Sequence, residues 1–189
     1  MRELSLNIMD IAQNSVRAEA TWIEIRCHEN TQERTLTLEV EDNGKGMSEE
    51  QIQAVTDPFF TTRTTRKVGL GVPLFKMAAE QTGGSFHISS APGEGTVTAA
   101  TFHTDHLDMT PLGDINATVS LLINSNPDMD IIFKRSVNQR EFTLDTREMR
   151  EMLGDVPLNN PDVALWIGSY LAENEKDLIL EEKTNEIIS

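Results

Sequence analysis

Asp42-Asn-Gly-Lys-Gly46 is the stretch on which the reading of this chain turns. It follows Leu36, Leu38 and Val40, whose alternation with Thr37 and Glu39 marks a strand with one buried face. A strand that ends in a carboxylate and then crosses two glycines lets backbone pass close to another molecule, because glycine has no Cβ in the way. Taken alone, an aspartate before Asn-Gly is equally a turn former. The neighbouring segments have to decide.

Upstream, residues 4–18 read as an amphipathic helix. Leu4, Ile8, Ile11, Ala12 and Ser15 fall on one side, and Asp10, Asn14 and Arg17 line up on the opposite one. Ile23, Ile25 and Cys27 then alternate with Glu24 and Arg26 as a strand. Downstream, Ser48 with Gln51 forms a capping box that opens a short helix. Asp57-Pro-Phe-Phe-Thr-Thr-Arg63 follows as a loop, and Gly69-Leu-Gly71 opens onto a longer helix. Pro73 belongs in the first turn of that helix and Gly83 just past its end. Free backbone N–H groups and a positive helix end therefore follow the glycines, where a phosphate can bind. Strands at residues 85–90 and 96–102 close the unit around the turn Ala91-Pro-Gly-Glu-Gly95.

The chain has 189 residues and a net charge of −15, from 16 basic and 31 acidic side chains. Such a surface repels nucleic acid and anionic lipid. Against it, residues 58–79 contain no acid and four bases, Arg63, Arg66, Lys67 and Lys76, a positive island suited to a polyphosphate. Hydrophobic content is 38%, ordinary for a globular protein. No apolar run reaches the roughly twenty residues of a membrane span, and neither a signal peptide nor a disulfide framework is expected around the single Cys27. The expected location is cytoplasmic. The chain lacks the G-x-x-x-x-G-K-[ST] loop and a complete G-x-G-x-x-G, which disfavours the two common nucleotide folds.

Taken together and in order, these segments resemble the ATP-binding domain shared by DNA gyrase B subunits, heat-shock protein 90, sensor histidine kinases and MutL-type mismatch repair proteins. The stretch from Asp10 to Thr21 is similar to the first box of the MutL branch, and its Asn14-x-x-Arg17 resembles the Asn-x-x-Lys of the kinases. Asp42 to Met47 matches the second box, Asp57 to Arg63 the aromatic box of the kinases, and Lys67 to Val72 and Gly93 to Thr96 the remaining two. The resemblance covers residues 4–103 and implies an α+β fold, a two-layer helix/mixed-sheet sandwich of the Bergerat type. Residues 1–104 are expected to form this domain and residues 105–189 a smaller C-terminal α+β unit. In that unit, strands are expected at residues 118–123 and, as a hairpin, at 131–144. A capped helix should follow Asp145, and then a helix opened by Pro161 with an apolar stripe of Val163, Trp166, Ile167, Tyr170 and Leu171. The last seventeen or so residues, which are acidic, are expected to fray, with Leu178-Ile-Leu180 as the stretch that could dock.

The family implies residue roles. Asp42 would accept a hydrogen bond from the adenine amino group, with Thr96 assisting, and Gly44 and Gly46 would admit the base and ribose. Met47, Phe59, Thr62, Gly69, Leu70 and Gly71 would complete the nucleotide pocket. Asn14 would coordinate Mg²⁺, Arg17 would reach a phosphate, and Arg63, Arg66 and Lys67 would form part of a lid. Hydrolysing members carry a glutamate four residues before the asparagine; this chain has the shorter Asp10, the candidate general base. Only nine residues precede Asp10, so a phosphoacceptor is expected on another chain. The resulting expectation is a Mg-ATP-binding protein similar to histidine kinase catalytic domains, which phosphorylates or regulates an unidentified protein partner. A non-catalytic ATP-gated module and a slow ATPase stand as alternatives, and a homodimer as a further option. Neither nucleic acid nor a membrane is expected as partner.

Overall fold

The computed structural model describes residues 3–59 and 69–188. Twelve elements follow one another in these residues: α1 (Leu4–Arg17), β1 (Trp22–Asn30), β2 (Thr35–Asp42), α2 (Glu49–Thr56), α3 (Gly71–Gln81), β3 (Ser85–Ser90), β4 (Thr96–His103), α4 (Ile115–Ser125), β5 (Asp130–Val137), β6 (Arg140–Asp145), α5 (Thr146–Leu153) and α6 (Pro161–Ile188). The six strands form one mixed sheet in the order β3-β4-β2-β1-β5-β6. Every pairing is antiparallel except β1 with β5, where Ile23 lies beside Ile131 and Cys27 beside Arg135. The sheet thus runs across residue 104, and the C-terminal segment extends it by two strands.

Alternation sets the two faces. Ile23, Ile25, Cys27, Leu36, Leu38, Val40, Ala100, Phe102, Ile131 and Phe133 point into one buried core with Leu4, Ile8 and Ile11 of α1 and Phe75 of α3. The Phe75 ring lies 5.5 Å from Phe102 and 6.4 Å from Phe86, centroid to centroid. Burial pushes the Cys27 thiol up to about 12, so it is inert as a nucleophile. The other face is polar at its centre. Glu24 there accepts from Lys134 Nζ at 2.8 Å and from Arg26, which also bridges to Glu39 and Glu41. No helix among the described residues is long and apolar enough to cross a membrane.

Most element assignments read from the sequence hold. The α2 capping box is formed, with Gln51 N donating to Ser48 Oγ and Ser48 N to Gln51 Oε1. The hairpin of β5 and β6 turns at Asn138, in the left-handed region at φ 54°. That conformation is one asparagine tolerates.

Three expectations are corrected. Residues 118–123 form no strand but the middle of α4. Asp114 caps that helix by accepting from Ala117 N, and Ile115, Thr118, Val119, Leu122 and Ile123 recur at helical spacing on its buried side. The cap and the 3.6-residue period outweigh the β-branched Thr118 and Val119. The acidic end does not fray but continues as helix to Ile188, and Leu178, from the stretch expected to dock, is buried. The expected α6 stripe divides: Val163, Ile167 and Leu171 are core, whereas Trp166, 49% exposed, stacks on Tyr170 at 5.2 Å.

A buried cation ties α6 to the sheet. Arg135, 2% exposed on the core side of β5, donates to Glu29 of β1 at 3.0 Å and to Glu175 of α6 at 3.2 Å. Removing it leaves two partly exposed carboxylates without the cation they share. Arg135→Ala is therefore expected to lower stability by about 2–3 kcal/mol, the partial exposure of both glutamates keeping it below the cost of a fully buried charge. Urea denaturation reads this. Arg135→Met, which refills the volume and still removes the cation, should cost as much if charge dominates and markedly less if packing does.

Candidate nucleotide site

The site is built where α1 touches both the end of β2 and the start of α3. Asp42 is the last residue of β2 and only 8% exposed. Its Oδ1 accepts from Gly44 N at 2.8 Å, and its Oδ2 accepts from Ser15 Oγ of α1 at 2.5 Å. An ionised carboxylate has about four acceptor positions in all, so two donors leave capacity for a further one. Thr96, the first residue of β4, pairs directly with Asp42 across the ladder. Its hydroxyl lies 2.9 Å from Ser90 Oγ, which donates to Gly95 O and accepts from Met47 N at 2.8 Å.

The loop after Asp42 is held on two sides. Lys45 N donates to Ala18 O at the end of α1, and Gly93 N donates to Lys45 O at 2.7 Å. Gly46 has φ +68°, and a Cβ there would fall 1.9 Å from Ala91 O. Gly95, at φ +80°, would bring a Cβ to 2.0 Å from Asp42 O. A Cβ on Gly44 would meet Ala18 Cβ at 2.9 Å. Glycine is required here because backbones converge, which cradles whatever lies against Asp42.

Along the same helix, Asp10 faces the first turn of α3. A Cβ on Gly71 would fall 2.5 Å from Asp10 Cβ, so only glycine lets α1 and α3 close to this distance. Asn7, one turn earlier and buried, donates to Gly71 O at 3.2 Å and pins the junction. The α3 N-terminus has Leu70 at its cap position, with no side-chain cap and no acid in the first turn. Its N–H groups are thus available to an anion.

Of the residues singled out from the sequence, Asp10, Asn14, Asp42, Gly44, Gly46, Met47, Gly71 and Thr96 lie in or beside this region. Asn14 is half-buried on α1, and its Oδ1 accepts from Arg17 Nη1 at 2.9 Å. That oxygen keeps one acceptor position for a cation; Arg17 is exposed and engaged with Asn14. Gly69 and Leu70 are exposed at the entrance to α3. Phe59 is 81% exposed, its backbone N–H donating to Asp57 Oδ1. Thr62, Arg63, Arg66 and Lys67 lie outside the described residues. Sequence reasoning missed Ser15 and Ser90. Ser15 falls on the apolar side of α1 at helical spacing; a hydroxyl on such a stripe needs a polar partner, and that is the available signal.

The family described as histidine kinase-, DNA gyrase B- and HSP90-like ATPase matches residues 1–106. Among curated relatives, the sensor histidine kinase ZraS of Klebsiella oxytoca is 42% identical over 60 residues, which is 32% of this chain and 13% of that protein. ZraS of Salmonella typhimurium is 30% identical over 97 residues, 51% of this chain and 20% of that protein. The Staphylococcus aureus sensor protein SrrB is 36% identical over 101 residues, 51% of this chain and 17% of that protein. The chain therefore spans a fifth or less of these relatives' own lengths. Among solved structures, the N-terminal domain of a DNA repair protein superposes with TM-score 0.55 at 12% identity, covering 77% of this chain and 53% of that one. The Aquifex aeolicus MutL ATPase domain complexed with ADP gives 0.51 at 14% identity, covering 81% and 68%. At such identities the two structures speak for the fold alone. On the match over more than half its length, the chain belongs to the histidine kinase-, DNA gyrase B- and HSP90-like ATPase family.

Proposed function

We propose that this protein binds Mg-ATP between α1 and the β2–β4 end of the sheet and acts on a separate protein partner, either by phosphoryl transfer or by ATP-gated binding. The observation that carries the reading is the Asp42 carboxylate, buried and fixed by Ser15 and Gly44 yet with acceptor capacity left for an exocyclic amine. Five residues of helix, about 7.5 Å of rise, separate Ser15 at that carboxylate from Asp10 at the α3 N-terminus. A purine at Asp42 and phosphates at Gly71 would occupy the two ends of that span.

Asn14 and, through it, Arg17 are the groups that would hold a Mg²⁺ ion and a phosphate, with Arg63 and Lys67 as further cations. The ion would supply charge neutralisation at the phosphates. Asp10 stands against Gly71 at that end, and it would orient water or an acceptor hydroxyl. Residues 105–189 would present the surface that the partner reads, and a cytoplasmic setting suits a chain whose one cysteine is buried and unpaired.

Incubation with γ-labelled ATP separates the possibilities. Label on a co-purifying protein supports transfer. Free phosphate that disappears in Asp10→Asn supports a slow ATPase. Intact ATP with altered partner affinity supports gating. Calorimetry detecting no binding of ATP at millimolar concentration, with or without Mg²⁺, overturns the proposal.

A further inference from the structure

The Asp10 side chain makes no hydrogen bond or ion pair with any described residue. It nevertheless lies against the start of α3, which has no side-chain cap. A Cβ on Gly71 would fall 3.0 Å from its Oδ2 and 3.2 Å from its Cγ, and one on Gly69 would fall 3.9 Å from Oδ2. Gly71 opens α3, so this carboxylate stands beside the uncapped first turn, where a positive helix end favours an anion. The α1–α3 approach places that side chain: a Cβ on Gly71 would fall 2.5 Å from Asp10 Cβ, and Asn7 donates to Gly71 O.

We infer that Asp10 is a specificity-determining residue, which makes the site take adenine nucleotide as its divalent-cation complex rather than as the free polyanion. This rests on the ATP-binding reading above. A free triphosphate approaching the α3 N-terminus meets the Asp10 carboxylate at close range. That repulsion opposes the attraction of the helix end. A nucleotide whose phosphates carry a divalent cation meets the same carboxylate as an attractive group, directly or through a metal-bound water. The charge thus weakens binding of the free nucleotide and leaves binding of the complex intact or improved. A residue serving only as general base would change turnover and leave this difference untouched.

The test is calorimetry of ATP and ADP in EDTA and in Mg²⁺, on wild type, Asp10→Asn, Asp10→Ser and Asp10→Glu, with circular dichroism showing that each variant is folded. Removing the charge by Asn or Ser should tighten metal-free ATP about tenfold and change the Mg-ATP affinity by less than about threefold, so that the gain from Mg²⁺ collapses. Asp10→Glu, which keeps the charge, should retain most of the wild-type gain. Equal metal-free affinities in wild type and the charge-free variants overturn this inference while the ATP-binding reading stands. A wild type that binds no adenine nucleotide under either condition overturns both.

Discussion

Asp42→Asn is expected to weaken ATP binding by about a hundredfold while leaving the protein folded. The change adds no volume and keeps Oδ1 as acceptor for Gly44 N. Its new Nδ2 must then take the side facing Ser15 and the cleft, where the Ser15 hydroxyl can rotate from donating to accepting. The ground state therefore survives. What is lost is the acceptor for a purine amino group: two donors now face each other in a buried site, and neither reaches water. Inosine triphosphate, with a carbonyl in place of the amine, should be rejected by wild type and lose its disadvantage in the variant. Calorimetry with the two nucleotides on both proteins checks this. An Asp42→Asn protein that binds ATP like wild type would remove Asp42 from the site.

The largest effect on stability is expected at the crossing of the β2–α2 loop with the β3–β4 turn. Gly46→Ala combines a left-handed φ of +68° with a Cβ 1.9 Å from Ala91 O. Gly95→Ala combines +80° with 2.0 Å to Asp42 O. In both cases the obstacle is backbone rather than a side chain that can swing away. Each should lower the free energy of unfolding by roughly 4 kcal/mol or more, enough to depopulate a marginal domain. Gly93 provides the control. It has a similar φ of +81° but nothing within 4 Å of its Cβ position, so Gly93→Ala should cost only the conformational strain, about 1 kcal/mol. Guanidinium or urea unfolding of the three variants decides. A Gly46→Ala protein as stable as Gly93→Ala would mean that the loop and the turn do not meet as described.

What could be read from the chain, and what could not, follows the range of the forces involved. Helix α1, the Ser48–Gln51 box and the glycines before α3 are local signals, set by periodicity and capping within a few residues, and all appear as expected. Pairing of β5 with β1 is not local. A parallel neighbour more than a hundred residues away leaves no turn signature, so nothing in residues 131–137 announced that they extend the first sheet. Helix α4 is obscured for a different reason: Thr118 and Val119 favour strands, against the cap at Asp114 and the helical spacing of Ile115, Val119 and Leu122. In the candidate site, Asp42 meets the Gly44 backbone and Asp10 meets Gly71, as contacts that only the fold makes visible. Ser15, which fixes Asp42, was hidden because its position on the apolar stripe looked like packing. Its partner lies 27 residues away in sequence and only the fold brings them to 2.5 Å.

The central claim is that one adenine nucleotide lies along α1 from Asp42 to the start of α3. Titration of ¹⁵N-labelled protein with ATP and Mg²⁺, followed amide by amide, tests it most directly. Saturable shifts should concentrate at Gly44, Gly46, Gly71 and the Asp42–Thr96 pair, and leave the polar face around Arg26 and Lys134 unmoved. Shifts confined to that opposite face or to α6, or no shifts at millimolar nucleotide, would contradict the account.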